Sequence, residues 1–416
     1  MKLDMHPEIL VFCDWYRPGH KAGGLVSALS NLIELLGDDF YFRVFTRDRD
    51  LTDNESYPNI QVDRWVSVGK AKVLYTPDLS LRNVRRRILE LEPDLIYLNS
   101  FFSPLTIRAL LLRWLGCVPR VPIVIAPRGE FSPGALQIKR LRKWLYLRVA
   151  VPLGLYKDVV WQASSNPEKE LISAARVSGG RRDGGIVRVS SDVPSPKLFD
   201  QSLSRQILEK QPGAVRFVFL SRISPNKNLH YALKALAAVR GQAELQIVGP
   251  VDDAAYWAEC QKLIRALPDN VVVNHHGPVP YEDVGQVLLQ SHFLLLPTAG
   301  ENFGYAILEA LAAGRPALIS DQTPWRGLSA QSAGWDLPLA NRELWQEVIQ
   351  KCVDMNQEQY KVLARGARRF AEAWLKSTPY REHALDLFRE ALKRGPDGET
   401  TWKKKGELKD ESAAAS

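Results

Sequence analysis

Apolar positions along this chain follow two alternating rhythms. Short, nearly continuous apolar runs give way to longer stretches in which apolar residues recur every three or four positions. The runs EILVFCDWY (8–16), FYFRVFT (40–46), DLIYLNS (94–100), VPIVIAPRG (121–129) and DVVWQAS (158–164) read as strands buried on both faces of a parallel sheet. Between them, RPGHKAGGLVSALSNLIELL (17–36) is a glycine-containing turn followed by helical periodicity. LRNVRRRILELEPD (81–94) is a basic helix with a proline stop. SPLTIRALLLRWLG (103–116) is a helix that Gly116 terminates. ALQIKRLRKWLYLRVAVPLGLY (135–156) is a long basic-aromatic helix, and SNPEKELISAA (165–175) opens on a capping signal. Strands alternating with helices predict a doubly wound α/β domain.

The rhythm breaks at VSGGRRDGG (177–185) and SSDVPSPKLFD (190–200), which places a domain boundary near 198–213. It then restarts with strands VRFVFLSR (215–222), AELQIVG (243–249), NVVVNHHG (270–277), HFLLLPT (292–298) and PALIS (316–320). Helical patterns at 229–239, 253–267 and 281–290 separate them, and long helical stretches occupy about 341–375 and 379–394. The expected layout is an α/β domain over 1–200 and a second of the same type over 201–378. The helix at 379–394 would return to the first, and a polar tail at 395–416 would be disordered. Two such domains would leave a cleft between them. Ligands of open α/β sheets sit at the carboxyl ends of strands, so the loops there hold the candidate chemistry.

At 416 residues the chain is long enough for two full cores. Its formal net charge of +8 suits an anionic partner without choosing one. The four cysteines, Cys13, Cys117, Cys260 and Cys352, are scattered and lack metal or redox spacing. The first residues lack the pattern of a signal peptide, and no apolar run approaches the roughly 20 residues of a spanning helix. A cytoplasmic protein is the expectation.

Four strand-end loops stand out. In RPGHKAGG, Gly23 and Gly24 open a helix directly after the first strand. Their backbone can approach an anion, or simply make a tight turn. In APRGEFSPGAL, Arg128 ends a strand between Pro127 and Gly129, suited to a phosphate, a sugar hydroxyl or plain solvent. In LSRISPNKNL, Arg222 and Lys227 flank a loop and can converge on one diphosphate. In ENFGYAILEALAAGRP (301–316), the amides of Asn302, Phe303 and Gly304 open a helix beside Glu301, and Glu309 lies inside that helix among small apolar residues. A carboxylate there needs a partner. Ribose hydroxyls and the nearby Arg315 are both suitable.

The unit ENFGYAILEALAAGRPALIS resembles the two-glutamate signature of retaining glycosyltransferases of family 4. The likeness continues in TPW (323–325), AGWDL (333–337), LSRISPNKNL and APRGEFSPGAL, so it spans about residues 8–394. This resemblance implies a GT-B fold: two Rossmann-like domains facing a central cleft, the acceptor mainly in the first and a nucleotide-sugar donor mainly in the second. By position, Arg222 and Lys227 would bind the donor diphosphate, and Glu309 the ribose. Glu301 would hold the transferred sugar with the amides of 302–304, and Gly23 and Gly24 would approach the diphosphate. No metal or other cofactor is implied. Where many members carry a histidine after a proline, this chain has Arg128; His20 could supply an imidazole or be a turn residue.

The resemblance further implies transfer with retention from a UDP- or GDP-sugar. The acceptor would be a saccharide or a polyprenyl-diphosphate-linked saccharide in bacterial surface-polysaccharide synthesis. A front-side route and a double displacement both remain open. The alternatives are a sugar-nucleotide epimerase of the same fold and a non-catalytic binding subunit. The 136–156 helix suits an anionic bilayer, which would bring the protein to the inner face of the plasma membrane. It equally suits a core helix with a solvated basic face. Nucleic acid has no motif behind it.

Overall fold

The computed structural model describes residues 6–132, 135–136, 140–175, 186–195 and 207–394. The expectations for the Gly/Arg-rich stretch at 177–185, for the first part of the boundary region and for the 395–416 tail lie outside those residues. The chain forms two compact units. The first comprises Met1–Tyr16, Leu32–Val193 and Tyr380–Ser416; the second comprises Arg17–Asn31 and Pro194–Pro379.

The first unit is built on an eight-stranded sheet. Its strands are β1 (Glu8–Phe12), β2 (Tyr41–Arg47), β3 (Trp65–Val68), β4 (Ala71–Thr76), β5 (Leu95–Asn99), β6 (Ile123–Ala126), β7 (Val159–Ala163) and β8 (Val187–Val189). The order is β3-β4-β2-β1-β5-β6-β7-β8, and only the β3–β4 pair is antiparallel. β1, β5, β6 and β7 are apolar on both faces because helices cover both sides of a doubly wound sheet. The helices of this unit are the end of α1 (Gly24–Leu36), from Leu32 on, with α2 (Leu81–Leu91), α3 (Pro104–Trp114), α4 (Arg140–Ala150) and α5 (Asn166–Ala174). Ser80, Ser103 and Ser165 cap the starts of α2, α3 and α5 by accepting from backbone amides.

The second unit is built on a six-stranded sheet in which every described pairing is parallel. Its strands are β9 (Ala214–Leu220), β10 (Gln242–Val248), β11 (Val271–Gly277), β12 (Phe293–Leu296), β13 (Ala317–Ser320) and β14 (Gly334–Leu337), in the order β11-β10-β9-β12-β13-β14. Around it lie α6 (Leu229–Leu236), α7 (Ala254–Arg265), α8 (Val284–Leu289), α9 (Tyr305–Ala312), α10 (Arg342–Asp354) and α11 (Gln357–Ser377). Phe217, Leu295, Ile319, Leu308, Trp345 and Tyr360 belong to one continuous core. Strand order reverses between β9 and β12, and the loops after those two strands carry the Arg/Lys and two-glutamate motifs. That is the switch point at which open α/β sheets take ligands.

Several elements differ from the sequence reading. The hairpin β3–β4 carries no expectation above; β3 is a short edge strand with no fully buried position, while β4 is short but mostly buried. The 341–375 stretch is two helices. Met355 is extended, and Asn356 and Gln359 form a capping box that starts α11 afresh. The 135–156 stretch is helical in α4 only to Ala150, since Pro152 and the left-handed Gly154 follow. The last helix, α12 (Tyr380–Lys393), belongs to the first unit. Its Phe388 meets the rings of Phe40, Phe42 and Tyr97, and Arg381 and Glu390 pair with Asp39 and Arg188. Arg17–Asn31, placed by the sequence in the first domain, groups with the second. Within that unit a Cβ on Gly24 would lie 3.3 Å from the ring of Tyr305.

Candidate active site

The loop after β9 begins Ser221-Arg222 and tightens into a short turn at Pro225–Lys227. The loop after β12 runs from Pro297 to Gly304. The two are laced together. Asn226 donates to the Gly300 carbonyl (3.1 Å) and its own carbonyl accepts from Ala299 N (2.7 Å) and Thr298 Oγ1 (3.1 Å). Asn228, in left-handed geometry, donates to Pro297 O (2.9 Å). This lacing brings Lys227 Nζ to 2.5 Å from Glu301 Oε1, with both side chains largely buried. Charge-assisted pairs of this kind hold their geometry tightly. Arg222 lies on the same loop, paired with Asp252 at 2.8 Å; Asp252 follows β10 and belongs to none of the sequence motifs.

Gly304 caps α9 with φ 83°. A Cβ there would sit 2.9 Å from Ile307 Cδ1 and 3.2 Å from Trp325 Nε1, so the position admits only glycine without strain. Trp325 Nε1–H donates to the Phe303 carbonyl, and the Phe303 ring packs on Trp325 and Trp374. The Phe303 side chain is thus an anchor, and what the residue offers the loop is its amide. Among the described residues, no backbone carbonyl accepts from the amides of Asn302, Phe303 or Gly304. They lie at the amino end of a helix, where dipole and N–H groups favour an anion.

Glu309 sits on α9 one to two turns further in. Burial raises its carboxyl to about 7, and a hydrogen bond with Tyr281 partly offsets that rise. Tyr281 starts the turn before α8 and also bonds Ser195; burial and the neighbouring Glu309 push its phenol upward. Arg315, the local candidate partner for Glu309, directs its guanidinium to the carbonyls of Leu288 (2.9 Å) and Leu289 (3.3 Å) and to the hydroxyl of Tyr360 (3.1 Å). Tyr281 and Ser195 had no motif to reveal them. Only folding brings Tyr281 to Glu309 and Ser195 to Tyr281.

The remaining candidates divide. Gly23 has φ 58° and donates to the His20 carbonyl at 2.9 Å, so His20 contributes backbone to this turn. His20, Gly23 and Gly24 all lie in the second unit with the loops above. Arg128 lies in the first unit, and its side chain is only 6% exposed. Its guanidinium pairs with Asp192 and donates to Tyr97 Oη (2.8 Å) and Asn99 Oδ1 (3.1 Å). Two buried carboxylates hold the backbone around it. Glu168 accepts from Gly129 N (2.6 Å) and Ser164 N (2.7 Å). Glu130 accepts from Ser100 Oγ (2.8 Å), Phe101 N and Phe102 N (3.0 Å). Arg128 is therefore the centre of an internal polar network, which differs from the cation facing a ligand that its strand-end position suggested.

Residues 200–370, which hold every one of the strand-end groups from Arg222 to Glu309, match the family model described as "Glycosyl transferases group 1". That segment is similar to the glycosyl transferases of group 1. The chain is 23% identical over 244 residues to sulfoquinovosyl transferase SQD2 of Arabidopsis thaliana, covering 56% of this chain and 44% of that protein. It is 28% identical over 122 residues to D-inositol 3-phosphate glycosyltransferase of Arthrobacter sp. (strain FB24), covering 28% of this chain and 29% of that protein. The chain thus spans less than half the length of these curated relatives. The solved structure of Anabaena Alr3699/HepE in complex with UDP and glucose superposes with a TM-score of 0.61 at 18% identity, covering 92% of this chain and 98% of that one. The fold is GT-B, and the segment that matches the family model lies in its second α/β unit.

Proposed function

We propose that this protein is a retaining glycosyltransferase of family 4. It moves a sugar from a nucleotide-sugar donor to a saccharide, or a lipid-linked saccharide, in bacterial surface-polysaccharide assembly. The observation that carries this reading is the Lys227–Glu301 pair at the mouth of α9. A diphosphate bound by Lys227, Arg222 and the amides of Asn302, Phe303 and Gly304 would have its sugar beside Glu301. Glu309, a hydroxyl acceptor with no ion-pair partner among the described residues, would take the ribose hydroxyls. The Gly23–Gly24 turn would bring backbone close to the phosphates. His20 would orient that turn, and Arg128 would act by positioning the loop that follows β6.

In the proposed reaction the bond from the sugar's anomeric carbon to the diphosphate oxygen breaks. The acceptor hydroxyl bonds to that carbon on the same face, and its proton goes to the leaving phosphate. The two cations stabilise charge as it develops on the leaving group, so no metal is assigned to that task. Glu301 and the α9 amides hold the donor, supplying orientation.

A thermal-shift series with UDP-, GDP- and ADP-sugars tests the donor. A UDP-sugar is the expected stabiliser, by analogy with the UDP-bound Anabaena structure, since a ligand that binds only the folded state raises its melting point. If no nucleoside diphosphate or nucleotide sugar shifts the melting point, the reading fails.

A further inference from the structure

The two cations assigned to the donor diphosphate are each met by a carboxylate from a neighbouring strand-end loop. Lys227 is met by Glu301, and Arg222 by Asp252. Backbone hydrogen bonds hold both partners in place. Glu301 N donates to the Gln322 carbonyl (3.1 Å), and the bond from Asn226 to Gly300 keeps Lys227 opposite it. Asp252 N donates to Ile223 O (3.1 Å), and Ile223 N donates to Pro250 O (2.8 Å). An isolated parallel bridge between Ile223 and Val251 ties the same two loops.

The four side chains alternate in sign, so together they carry no net charge. A diphosphate reaching Lys227 and Arg222 therefore meets two carboxylates already on its cations, and like charges brought together are costly. Water screens the two pairs unequally. The Lys227 and Glu301 side chains are 15% and 11% exposed, whereas Arg222 and Asp252 are 38% and 31% exposed. Glu301 is thus the strong competitor and Asp252 the weak one. Glu301 has a second property: sugar hydroxyls can donate to it, and a nucleoside diphosphate without its sugar has none to offer at that point.

We propose that Glu301 and Asp252 are internal competitors of the diphosphate, and that Glu301 makes the site favour the loaded nucleotide sugar over the spent nucleoside diphosphate. This inference rests on the donor reading above. With donor bound, Lys227 turns to the diphosphate and Glu301 accepts from the sugar. Once the sugar has passed to the acceptor, Glu301 loses those partners and reclaims Lys227, which promotes product release. The laced backbone stays in place, and the exchange needs only side-chain rotation.

Titration calorimetry of the full chain with UDP, GDP and ADP, and with UDP-glucose, GDP-glucose and ADP-glucose, tests this. E301Q should bind the nucleoside diphosphate about tenfold more tightly than wild type, while its preference for the sugar-bearing form shrinks by a similar factor. D252N should tighten both forms by about two- to fivefold and leave the preference unchanged. Each variant has lost one negative charge, so its affinity should fall more steeply with added salt, a readout that a merely structural role would not move. Should E301Q not fold, E301D takes its place: it keeps a carboxylate but draws it back from Lys227 by one carbon, and should shift both readouts in the same direction. If the wild type binds a nucleoside diphosphate and either variant binds it no more tightly, that residue's competitor role is overturned, as is that of Glu301 if its variant keeps the full preference for the sugar-bearing form. The donor reading stands in those cases. If neither wild type nor variants bind any of the six nucleotides, the donor reading itself fails and this inference falls with it.

Discussion

Glu309 and Tyr281 show how one residue's environment sets its chemistry. The carboxyl is raised to about 7 from an ordinary value near 4.5. Its folded value lies above its unfolded one, so the protonated form is favoured by the fold. This contribution to stability is complete below the unfolded value and is lost as pH rises through about 7. Donor binding runs the other way, because ribose hydroxyls need the ionised carboxylate as acceptor. Titration calorimetry of the nucleoside diphosphate should show affinity rising with pH through about 7. E309Q should flatten that profile and weaken binding by roughly tenfold or more, the worth of about 1.5–3 kcal/mol for hydrogen bonds to a charged group. Y281F, which removes the hydroxyl that lowers the carboxyl, should move the step to higher pH. K227A should lower kcat by ~100-fold with the melting temperature little changed, as expected for loss of a charge-stabilising group. A steady-state assay with the identified donor reads this directly.

Arg222, Lys227 and Glu301 stood out in the sequence because each sits at a strand end or helix start that its neighbours announce, and Glu309 because it is a carboxylate inside an apolar helix. Tyr281, Ser195 and Asp252 were not, since their only qualification is proximity after folding. Arg128 was legible as a strand-end cation, but its use was not. Asp192 is 64 residues away in the chain, and only the sheet brings the two together.

Local helices and turns set how these side chains are aimed. The start of α9 depends on Gly304, whose left-handed backbone and crowded Cβ position leave no room for substitution. G304A should destabilise the second unit by about 1–2 kcal/mol through the left-handed penalty alone. It should also weaken diphosphate binding, because the three amides would be misaimed. Denaturant titration separates the first effect from the second. Helices and central strands were readable from their periodicity. The break between α10 and α11 was not read, though its Asn356–Gln359 capping signal is present in the sequence; apolar spacing runs on through it. The β3–β4 hairpin escaped because β3 is a four-residue edge strand with no fully buried position, and the apolar run of β4 is only six residues long.

At the scale of the whole molecule, the chain leaves its first unit and returns to it. Phe388 on α12 is fully buried against aromatic residues from β2, β5 and the segment before β2. F388A should cost about 3–5 kcal/mol, the usual loss for a buried phenylalanine, and should appear as an earlier unfolding transition of the first unit. The return helix could be expected from helical spacing beyond the second sheet, whereas its aromatic docking could not. The same holds for α4. Its composition suits a core helix or an exposed basic-apolar face equally, and only the structure shows that Leu141, Trp144 and Leu145 point outward. What the sequence by itself determined was local and periodic. It held the alternation of strands and helices, the doubly wound class, and the loops where an anion and a sugar could be held, because backbone geometry and burial act over a few residues. What only the tertiary structure decided was partnership. Lys227 meets Glu301, Tyr281 meets Glu309, and Arg128 turns inward to Asp192, because such contacts arise between segments whose separation along the chain carries no trace of their distance in space.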